Sequence, residues 1–264
     1  MVAVALSIAG SDPSGGAGVQ ADLKTFHQLR VYGTSAITLI TVQNTKGVTR
    51  VETLDPSLVA EQIAAILNDI PPQAAKTGAL GNIAIIEAVA GTALGCPLII
   101  DPVMISKHGA PLMDETARAA LARLLFPRAA LVTPNLHEAA ALSGMKVETP
   151  AHMREAAVRI AELGATSVLV KGGHLEGDAL DILFHNGSFT EYTAPRIVTA
   201  HTHGTGCTYS AAITAFVALG LALPEAVRNA KLFIHEAIAT NPGLGHGHGP
   251  VNHWAGESLS YNRA

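Results

Sequence analysis

Residues 98–142 decide the fold, because they contain the same structural unit twice in succession. The segment reads LIID (98–101), DETARAALARLL (114–125), ALVT (130–133) and NLHEAAAL (135–142). Each short apolar run is followed by an Ala/Leu-rich helical pattern, and this alternation is typical of parallel strands joined by helical crossovers. Both runs are almost continuously apolar, which indicates strands that are covered on both faces.

The same alternation continues on both sides of this segment. Further strands are predicted at residues 3–9, 35–41, 74–77 and 167–171, and helices at residues 17–29, 56–70, 83–94, 152–163, 208–221 and 224–240. After residue 171, two strand-like runs (179–185 and 188–192) flank Asn186-Gly187, a dipeptide typical of tight hairpin turns. We therefore predict an α/β fold of three layers, in which a mostly parallel central sheet carries helices on both faces and a small hairpin element.

Composition narrows the architecture and the class of partner. The chain has 264 residues, of which 48% are hydrophobic and 14% are charged, and its formal net charge is −4. This length fits one large α/β domain or two small ones, and we predict a single domain over residues 1–264. A slightly acidic chain offers no electrostatic footprint for nucleic acid or for an anionic membrane. The longest apolar run (209–223) is too short to span a bilayer, and the distant Cys96 and Cys207 indicate reduced thiols in a cytoplasmic protein.

Glycines and small polar residues gather where predicted strands end and helices begin. They occupy residues 10–18, 43–44, 78–81, 101–102, 134–138, 171–174 and 204–207. In open parallel sheets, ligands bind outside the carboxyl ends of the strands. We therefore expect one site along a single edge of the sheet.

The segment HTHGTGCT (201–208) has the composition of an anion-binding cradle. A helix start carries N–H groups without intrahelical partners and a partial positive charge, and glycines such as Gly204 and Gly206 let an anion approach closely. A thiol at this position, Cys207, is expected to have a depressed pKa. It could take the proton of a substrate hydroxyl or only line the pocket. A tight turn before a buried helix is the alternative interpretation.

Four polar residues at other strand ends suit phosphate and magnesium chemistry. Lys171 precedes two glycines and could reach nucleotide phosphates, or it could turn to solvent. Asp101 ends a strand, while Asn135 and Glu138 share one face of a helix start. Their oxygens suit Mg²⁺ held largely through water. An N-cap role for Asn135 and a first-turn role for Glu138 remain equally open.

Substrate recognition has fewer candidates. The amide of Gln43 could pair with a heterocycle that carries an amine beside a ring nitrogen, unless it is an ordinary strand-end glutamine. Asp12 and Asp22 could accept hydrogen bonds from a substrate, or they could be a turn aspartate and a first-turn helix acid. The loop at residues 10–18 is not a P-loop, and it lacks the acidic residue of a dinucleotide fingerprint. The spacing of the histidines does not favour structural zinc.

Taken together, the motifs resemble those of the hydroxymethylpyrimidine/phosphomethylpyrimidine kinases of thiamine biosynthesis, a branch of the ribokinase-like superfamily. The resemblance covers nearly the whole chain. It is carried by SIAGSDPSGGAGVQADLKTF (7–26), VQNTKGV (42–48), DPVM (101–104), TPNLHEA (133–139), VLVKGGH (168–174), HTHGTGCTYSAAI (201–213) and GHGHGPVNH (245–253).

The resemblance implies a ribokinase-like fold and an activity. ATP with Mg²⁺ would phosphorylate 4-amino-5-hydroxymethyl-2-methylpyrimidine, and then its monophosphate to the diphosphate, in a cytoplasmic homodimer. Carried over by position, the substrate would be bound by Gln43, Gly10, Ala17, Asp22, Val103 and Ala79. The anion hole and catalytic group would be Gly204, Gly206 and Cys207, with Lys171 and Thr205 at the ATP phosphates. Magnesium would be organised by Asn135, Glu138 and Asp101.

One departure from the family pattern keeps an alternative open. Where the family often has Lys-Ile-Gly-Met-Leu, this chain has Lys76-Thr77-Gly78-Ala79-Leu80, and the smaller Ala79 leaves room for a larger ring such as pyridoxal. A pyridoxal kinase on the same fold is therefore the alternative enzyme, and a pyrimidine-binding module without catalysis is the alternative from another class. Cys207 stands where most related sugar kinases have aspartate, which disfavours a sugar substrate. Residues 193–202 are a candidate mobile flap.

Overall fold

One sheet of nine strands runs through the part of the chain that the computed structural model describes, namely residues 2–105, 109, 112–173 and 177–256. The strands are β1 (Val4–Ser11), β2 (Tyr32–Asn44), β3 (Gly47–Thr53), β4 (Ala74–Thr77), β5 (Leu98–Ile100), β6 (Ala129–Val132), β7 (Ser167–Lys171), β8 (Ala179–His185) and β9 (Ser188–Ala194). Their order in the sheet is β3-β2-β1-β4-β5-β6-β7-β8-β9. The six strands from β2 to β7 in this order pair in parallel, while β3, β8 and β9 are antiparallel additions at the two edges.

Helices cover both faces of the sheet. They are α1 (Gly18–Gln28), α2 (Pro56–Asp69), α3 (Ile83–Ala90), α4 (Glu115–Leu125), α5 (Leu136–Ser143), α6 (Pro150–Glu162), α7 (Thr205–Ala218) and α8 (Leu223–Ala239). One buried core joins the sheet to helices α2 to α6, and a second core joins its other face to α1, α7 and α8. The predicted three-layer α/β fold with a mostly parallel sheet is therefore confirmed.

Helix α7 is buried on nearly every side. Its residues from Thr208 to Phe216 are all inaccessible or nearly so, because α1 and α8 flank it and the sheet lies beneath it. This burial explains why its sequence, TGCTYSAAITAFVA, is rich in small residues. It also fixes the start of α7 firmly against the sheet edge. None of the helices in the described residues is long and apolar enough to cross a bilayer.

Three differences from the predicted elements concern the edge of the sheet and the start of α7. Strand β3 was not predicted, because five of its seven residues are exposed and no buried face marks it. Strand β2 runs on to Asn44 as the partner of β3, so it is longer than expected. Helix α7 begins at Thr205 rather than at residue 208, so Gly206 and Cys207 lie within its first turn.

Candidate active site

A cavity of about 320 Å³ opens at the carboxyl ends of the parallel strands. Nearly all of the predicted site residues line it: Gly10, Ala17, Gln43, Ala79, Asp101, Val103, Asn135, Glu138, Lys171, Gly204, Thr205, Gly206 and Cys207. These residues come from segments more than 190 positions apart in the chain. Asp22 is the predicted site residue that does not border the cavity. His174, at the end of the predicted junction 171–174, lies outside the described residues.

The cradle at the start of α7 requires its first glycine. Gly204 is the N-cap and has a φ of +76°, which is strained for residues with a side chain. A Cβ at this position would come within 1.7 Å of the carbonyl oxygen of Gly16. The close approach packs the loop after β1 against the helix start. The first-turn N–H groups of α7 therefore face a narrow space suited to an anion.

Cys207 sits in this first turn with its thiol against the wall of the cavity. Burial raises the pKa of Cys207 to about 12, although the nearby ammonium of Lys76 and a hydrogen bond from the N–H of Gly18 act in the opposite direction. The expectation of a depressed thiol pKa was therefore wrong. Desolvation of the thiolate outweighs the favourable helix terminus. At neutral pH the group is a thiol.

A buried ion pair lies behind this wall and corrects the prediction for Asp22. Lys76 donates to Asp22 at 2.7 Å, Ser7 donates to the same carboxylate at 2.6 Å, and all three side chains are inaccessible. Burial raises the pKa of Asp22, whereas Lys76 opposes that rise. Asp22 therefore contacts Lys76 and Ser7 rather than an occupant of the cavity. Sequence reasoning missed Lys76, although a lysine inside the apolar strand β4 signals a buried partner.

A second ion pair borders the cavity itself. Lys171, at the end of β7, donates to Asp101 at 3.0 Å, and the hydroxyl of Ser210 donates to the other carboxylate oxygen at 3.2 Å. Burial opposes the charge on Asp101, but Lys171 holds the pKa of this carboxyl below its usual value. A Cβ on Gly206 would lie 3.5 Å from Nζ of Lys171. The ion pair thus lies directly against the first turn of α7, and Lys171 does not turn to solvent.

Asn135 and Glu138 form a capping box at the start of α5. The side chain of Asn135 accepts from the N–H of Glu138 at 2.9 Å, and Glu138 accepts from the N–H of Asn135 at 2.8 Å. The N-cap interpretation of Asn135 is therefore correct, and the box also holds the carboxylate of Glu138 at the cavity. Burial raises the pKa of Glu138 to about 7, and the negative charge of Asp101 adds to this effect.

The two carboxylates suit a divalent cation. Glu138 and Asp101 line one cavity, and the negative charge of Asp101 opposes ionisation of Glu138, a repulsion that a cation near them would relieve. Their hard oxygen atoms are also the ligands that Mg²⁺ prefers, with water and phosphate oxygens completing its shell. The residues present therefore fit a magnesium site.

Gln43 is joined to two buried residues on the opposite wall. Its amide lies 3.1 Å from Nε2 of His203, and the same ring nitrogen lies 2.7 Å from Asp12. Asp12 also accepts from the N–H groups of Ser14 and Ala17, so its interpretation as a turn aspartate is correct. Sequence reasoning noted His203 only as a neighbour of the glycine loop. Its partners are 160 or more positions away and could not be inferred from spacing.

The far end of the cavity was not predicted. Lys231, on α8, donates to the carbonyl oxygen of Ala179 at 2.8 Å and to Asp181 at 2.6 Å, and Asp181 accepts from the N–H of Gly172. The hairpin β8–β9 and helix α8 are joined at this point. A buried lysine on a helix face that is otherwise apolar was the available signal.

Comparisons with known proteins agree with this geometry. The family model described as phosphomethylpyrimidine kinase matches residues 12–252. The hydroxymethylpyrimidine/phosphomethylpyrimidine kinase of Synechococcus elongatus is 48% identical over 257 residues, which cover 96% of this chain and 98% of that protein. The thiamine biosynthesis bifunctional protein ThiED of Geobacter sulfurreducens is 47% identical over 252 residues, which cover 94% of this chain but only 51% of that protein.

A solved structure is similar over the same span. The ADP complex of Bacillus subtilis pyridoxal kinase has a TM-score of 0.90 and 40% sequence identity, and the match covers 97% of this chain and 98% of that chain. The family resemblance that the sequence motifs indicated is thus confirmed by the family model and by full-length relatives. The chain belongs to the phosphomethylpyrimidine kinase family.

Proposed function

We propose that this protein transfers a phosphoryl group from ATP to 4-amino-5-hydroxymethyl-2-methylpyrimidine, and then to its monophosphate, for thiamine diphosphate biosynthesis. One observation carries the proposal: the anion cradle of α7 and the Lys171–Asp101 ion pair lie in the same cavity as the amide of Gln43. A phosphate-binding end and a heterocycle-binding end are therefore joined in one space. The names of the relatives at 47–48% identity support the same activity.

In-line phosphoryl transfer requires mainly positioning and charge stabilisation from the protein. The amides of the first turn of α7 receive the transferring group. Gly206 keeps a side chain away from Lys171 and Asp101, and Gly204 allows the helix start to pack against Gly16. Lys171 exchanges its contact with Asp101 for the phosphate oxygens, to which it is a mobile point charge. Thr205 adds a hydroxyl at the same helix start, where it donates to the carbonyl oxygen of Thr202 at 2.8 Å.

Glu138 and Asp101 would hold Mg²⁺, with Asn135 keeping the carboxylate of Glu138 in place through the capping box. When bound, the metal supplies positive charge to the phosphate oxygens during transfer. The carboxylate of Glu138 must be ionised for this role. Because its pKa is about 7, magnesium binding would release a proton from part of the population at neutral pH.

Cys207 acts as a thiol in this proposal. A thiol with a pKa of about 12 is protonated at neutral pH and cannot take the hydroxyl proton, so Cys207 orients the acceptor hydroxyl by hydrogen bonding. As the new P–O bond forms and the bond to ADP breaks, the hydroxyl proton passes to an oxygen of the transferred phosphoryl group. Gly10, Ala17 and Val103 line the space around it and would contact the ring. Asp22 does not contact the substrate in this proposal, because it is paired with Lys76 behind the cavity wall.

A pyridoxal kinase is the second candidate, because of one specific observation. Ala79 lines the cavity with a small side chain, and a pyridoxal kinase is among the similar solved structures. The larger ring of pyridoxal would occupy the space that Ala79 leaves. The full-length relative at 48% identity, which is named for the pyrimidine, favours the first proposal.

A competition assay distinguishes the two candidates. The purified protein is given ATP, Mg²⁺ and equal concentrations of hydroxymethylpyrimidine and pyridoxal, and both phosphorylated products are quantified by phosphorus NMR. We expect the pyrimidine phosphate to predominate. Predominance of pyridoxal phosphate would assign the cavity to the larger ring, and ATP consumption without either product would contradict both candidates.

A further inference from the structure

The amide of Gln43 lies between two polar neighbours at the cavity wall. Its Nε2 atom is 3.1 Å from Nε2 of His203, and its Oε1 atom is 3.3 Å from Oγ1 of Thr41. Rotation of the amide by 180° about its last torsion exchanges these two ends without moving any other atom. The donors and acceptors around Gln43 therefore decide which end faces which neighbour.

Asp12 determines the hydrogen on His203. Both side chains are buried, and Nε2 of His203 lies 2.7 Å from the Asp12 carboxylate. Although burial works in the opposite direction, hydrogen bonds from His203 and Ser14 hold the pKa of Asp12 below its ordinary value. An ionised carboxylate can only accept hydrogen bonds, so Nε2 of His203 carries a hydrogen in the neutral ring and in the charged ring alike. An N–H group of Gln43 facing this atom would be repelled.

Thr41 imposes a matching requirement at the other end of the amide. Its hydroxyl has a single hydrogen, which it donates to the carbonyl oxygen of Ser11 at 2.9 Å. Toward Gln43 the hydroxyl oxygen can therefore only accept. An amide oxygen at this position would place two acceptors against each other, whereas an amide nitrogen would donate.

We propose that the amide of Gln43 is held with Oε1 facing the Nε2–H group of His203, whose principal acceptor is Asp12, and with Nε2 donating to Thr41. Both neighbours independently favour this orientation, and the reverse orientation is unfavourable at both ends. His203 and Thr41 are therefore positioning residues, which fix the order in which Gln43 offers an acceptor and a donor to a ring. The identity of that ring rests on the proposed function, but the orientation of the amide does not.

A fixed amide discriminates between rings that differ only in donor and acceptor order. The 4-amino pyrimidine has an amine donor beside a ring-nitrogen acceptor, and its 4-oxo analogue has an oxygen acceptor beside an N–H donor. An amide that is free to rotate could pair with both rings. A fixed amide pairs well with one of them, and a two-bond match of this kind is worth roughly 5- to 150-fold in preference.

Neutron diffraction from crystals exchanged into heavy water tests the orientation directly. We expect two deuterons on the end of the Gln43 amide that faces Thr41, and one deuteron on Nε2 of His203. Deuterons on the end that faces His203 would overturn the inference. This measurement needs neither substrate nor activity, so its result is independent of the proposed function.

Substrate preference supplies the second test. His203→Phe keeps a ring in place but removes the donor, so that Thr41 alone orients the amide. We expect the ratio of kcat/KM for the 4-amino over the 4-oxo pyrimidine to fall by roughly two- to fivefold, mainly through KM. His253→Phe is the matched control, because His253 is equally buried and bonds to Thr208 without lining the cavity. An unchanged ratio in His203→Phe, with the control also unchanged, would contradict the positioning role.

Thr41→Val provides a variant with little risk to folding. Its control is Thr34→Val on the same strand, where the lost hydroxyl also donates to a β1 carbonyl, that of Ala5, away from the cavity. We expect Thr41→Val alone to reduce the ratio. Equal ratios in both variants and the wild type would count against the inference. If the wild type phosphorylates neither pyrimidine, the proposed function fails, and the neutron map alone decides the orientation of Gln43.

Discussion

At the scale of single residues, desolvation governs the charge of the groups around the cavity. It raises the pKa of Cys207 to about 12 and that of Glu138 to about 7, whereas Asp101 stays ionised because Lys171 lies beside it. Lys76 favours the ionised thiol and Lys171 the ionised Glu138, but desolvation outweighs the cation in both groups. The difference between these groups is therefore one of partners rather than of burial.

Replacement of Cys207 tests its contact with the acceptor hydroxyl. We expect Cys207→Ala to lower kcat by roughly tenfold, the effect of losing one orienting hydrogen bond, while KM for ATP stays close to that of the wild type. Cys96→Ala is the control, since Cys96 is the other free cysteine and does not line the cavity. Steady-state kinetics measures both variants. A Cys207→Ala enzyme with near-normal kcat would remove the thiol from the reaction.

The raised pKa of Glu138 predicts a pH dependence of magnesium binding. Glu138 is mostly neutral below pH 7 and ionised above it, so the apparent affinity for Mg²⁺ should increase between pH 6 and pH 8. Glu138→Gln can still complete the capping box, but it cannot ionise, so its magnesium affinity should be weaker and nearly independent of pH. Titration calorimetry with Mg²⁺ and a non-hydrolysable ATP analogue measures both. A wild-type affinity that does not change over this range would contradict the assignment.

The raised pKa of Glu138 also predicts how the free energy of unfolding changes with pH. Since the folded-state pKa lies above the ordinary value of 4.5, the contribution of Glu138 is fully present below pH 4.5 and is lost as the pH rises through about 7. The free energy of unfolding of Glu138→Gln should therefore improve relative to the wild type as the pH rises from 5 to 8.

Most of these residues were predicted from the sequence, but their protonation states and ion-pair partners were not. Motif positions predicted that Gln43, Lys171 and Cys207 share one cavity, because strand ends converge at one edge of a parallel sheet. The predicted direction of the Cys207 pKa shift was wrong, and the pairing of Asp22 with Lys76 was not predicted. Both depend on side chains that are distant in the chain, and only the folded packing brings Lys76 next to Asp22.

At the scale of elements, the start of α7 is the most constrained part of the site, and one glycine tests it. Gly204→Ala would force a side chain into a φ of +76° and against the carbonyl of Gly16, so we expect a loss of stability well above 1 kcal/mol and a large loss of kcat. Gly220→Ala, just after the end of the same helix, is the control. Its φ is +89° but nothing lies within 4 Å, so it should cost about 1–2 kcal/mol and leave kcat unchanged.

Urea unfolding and steady-state kinetics measure both glycine variants. Equal losses of stability in the two variants would show that the close packing of the β1 loop against α7 is not a constraint.

The Lys76–Asp22 pair ties β4 to α1 underneath this helix start. Lys76→Met leaves the carboxylate of Asp22 buried without its cation, and we expect it to lower the free energy of unfolding by about 3–5 kcal/mol. The double variant Lys76→Met/Asp22→Asn removes both charges, so it should be more stable than Lys76→Met alone. Urea denaturation of these two variants and of Asp22→Asn gives the coupling energy. Strictly additive losses would show that the two groups do not stabilise each other.

Elements with at least one buried face were predicted well, whereas the mostly exposed strand β3 was not predicted. Strands β4, β7 and β8 have the predicted bounds, since their apolar runs end at clear polar positions. Strand β3 is mostly exposed and carries Arg50 and Glu52 as a surface ion pair, so its sequence contains no periodic signal. Its place at the sheet edge is set by pairing with β2, which local sequence cannot reveal.

At the scale of the whole molecule, the alternation of strand and helix was sufficient to predict the architecture. Six parallel strands between two helical layers bring the loops of six segments to one edge, and the cavity forms there. Lys231 on α8 and Asp181 on β8 were not predicted as cavity residues, because neither stands at the end of a parallel strand. A single domain over residues 1–264 and a homodimer stay predictions, and light scattering of the purified protein tests the homodimer.

We propose that the protein phosphorylates the pyrimidine and its monophosphate in one cavity. The most direct measurement is phosphorus NMR of the protein with ATP, Mg²⁺ and hydroxymethylpyrimidine monophosphate as the only acceptor. We predict the paired resonances of a pyrimidine diphosphate, growing in step with ADP. Unchanged monophosphate, under conditions in which the same preparation converts pyridoxal to pyridoxal phosphate, would contradict the claim.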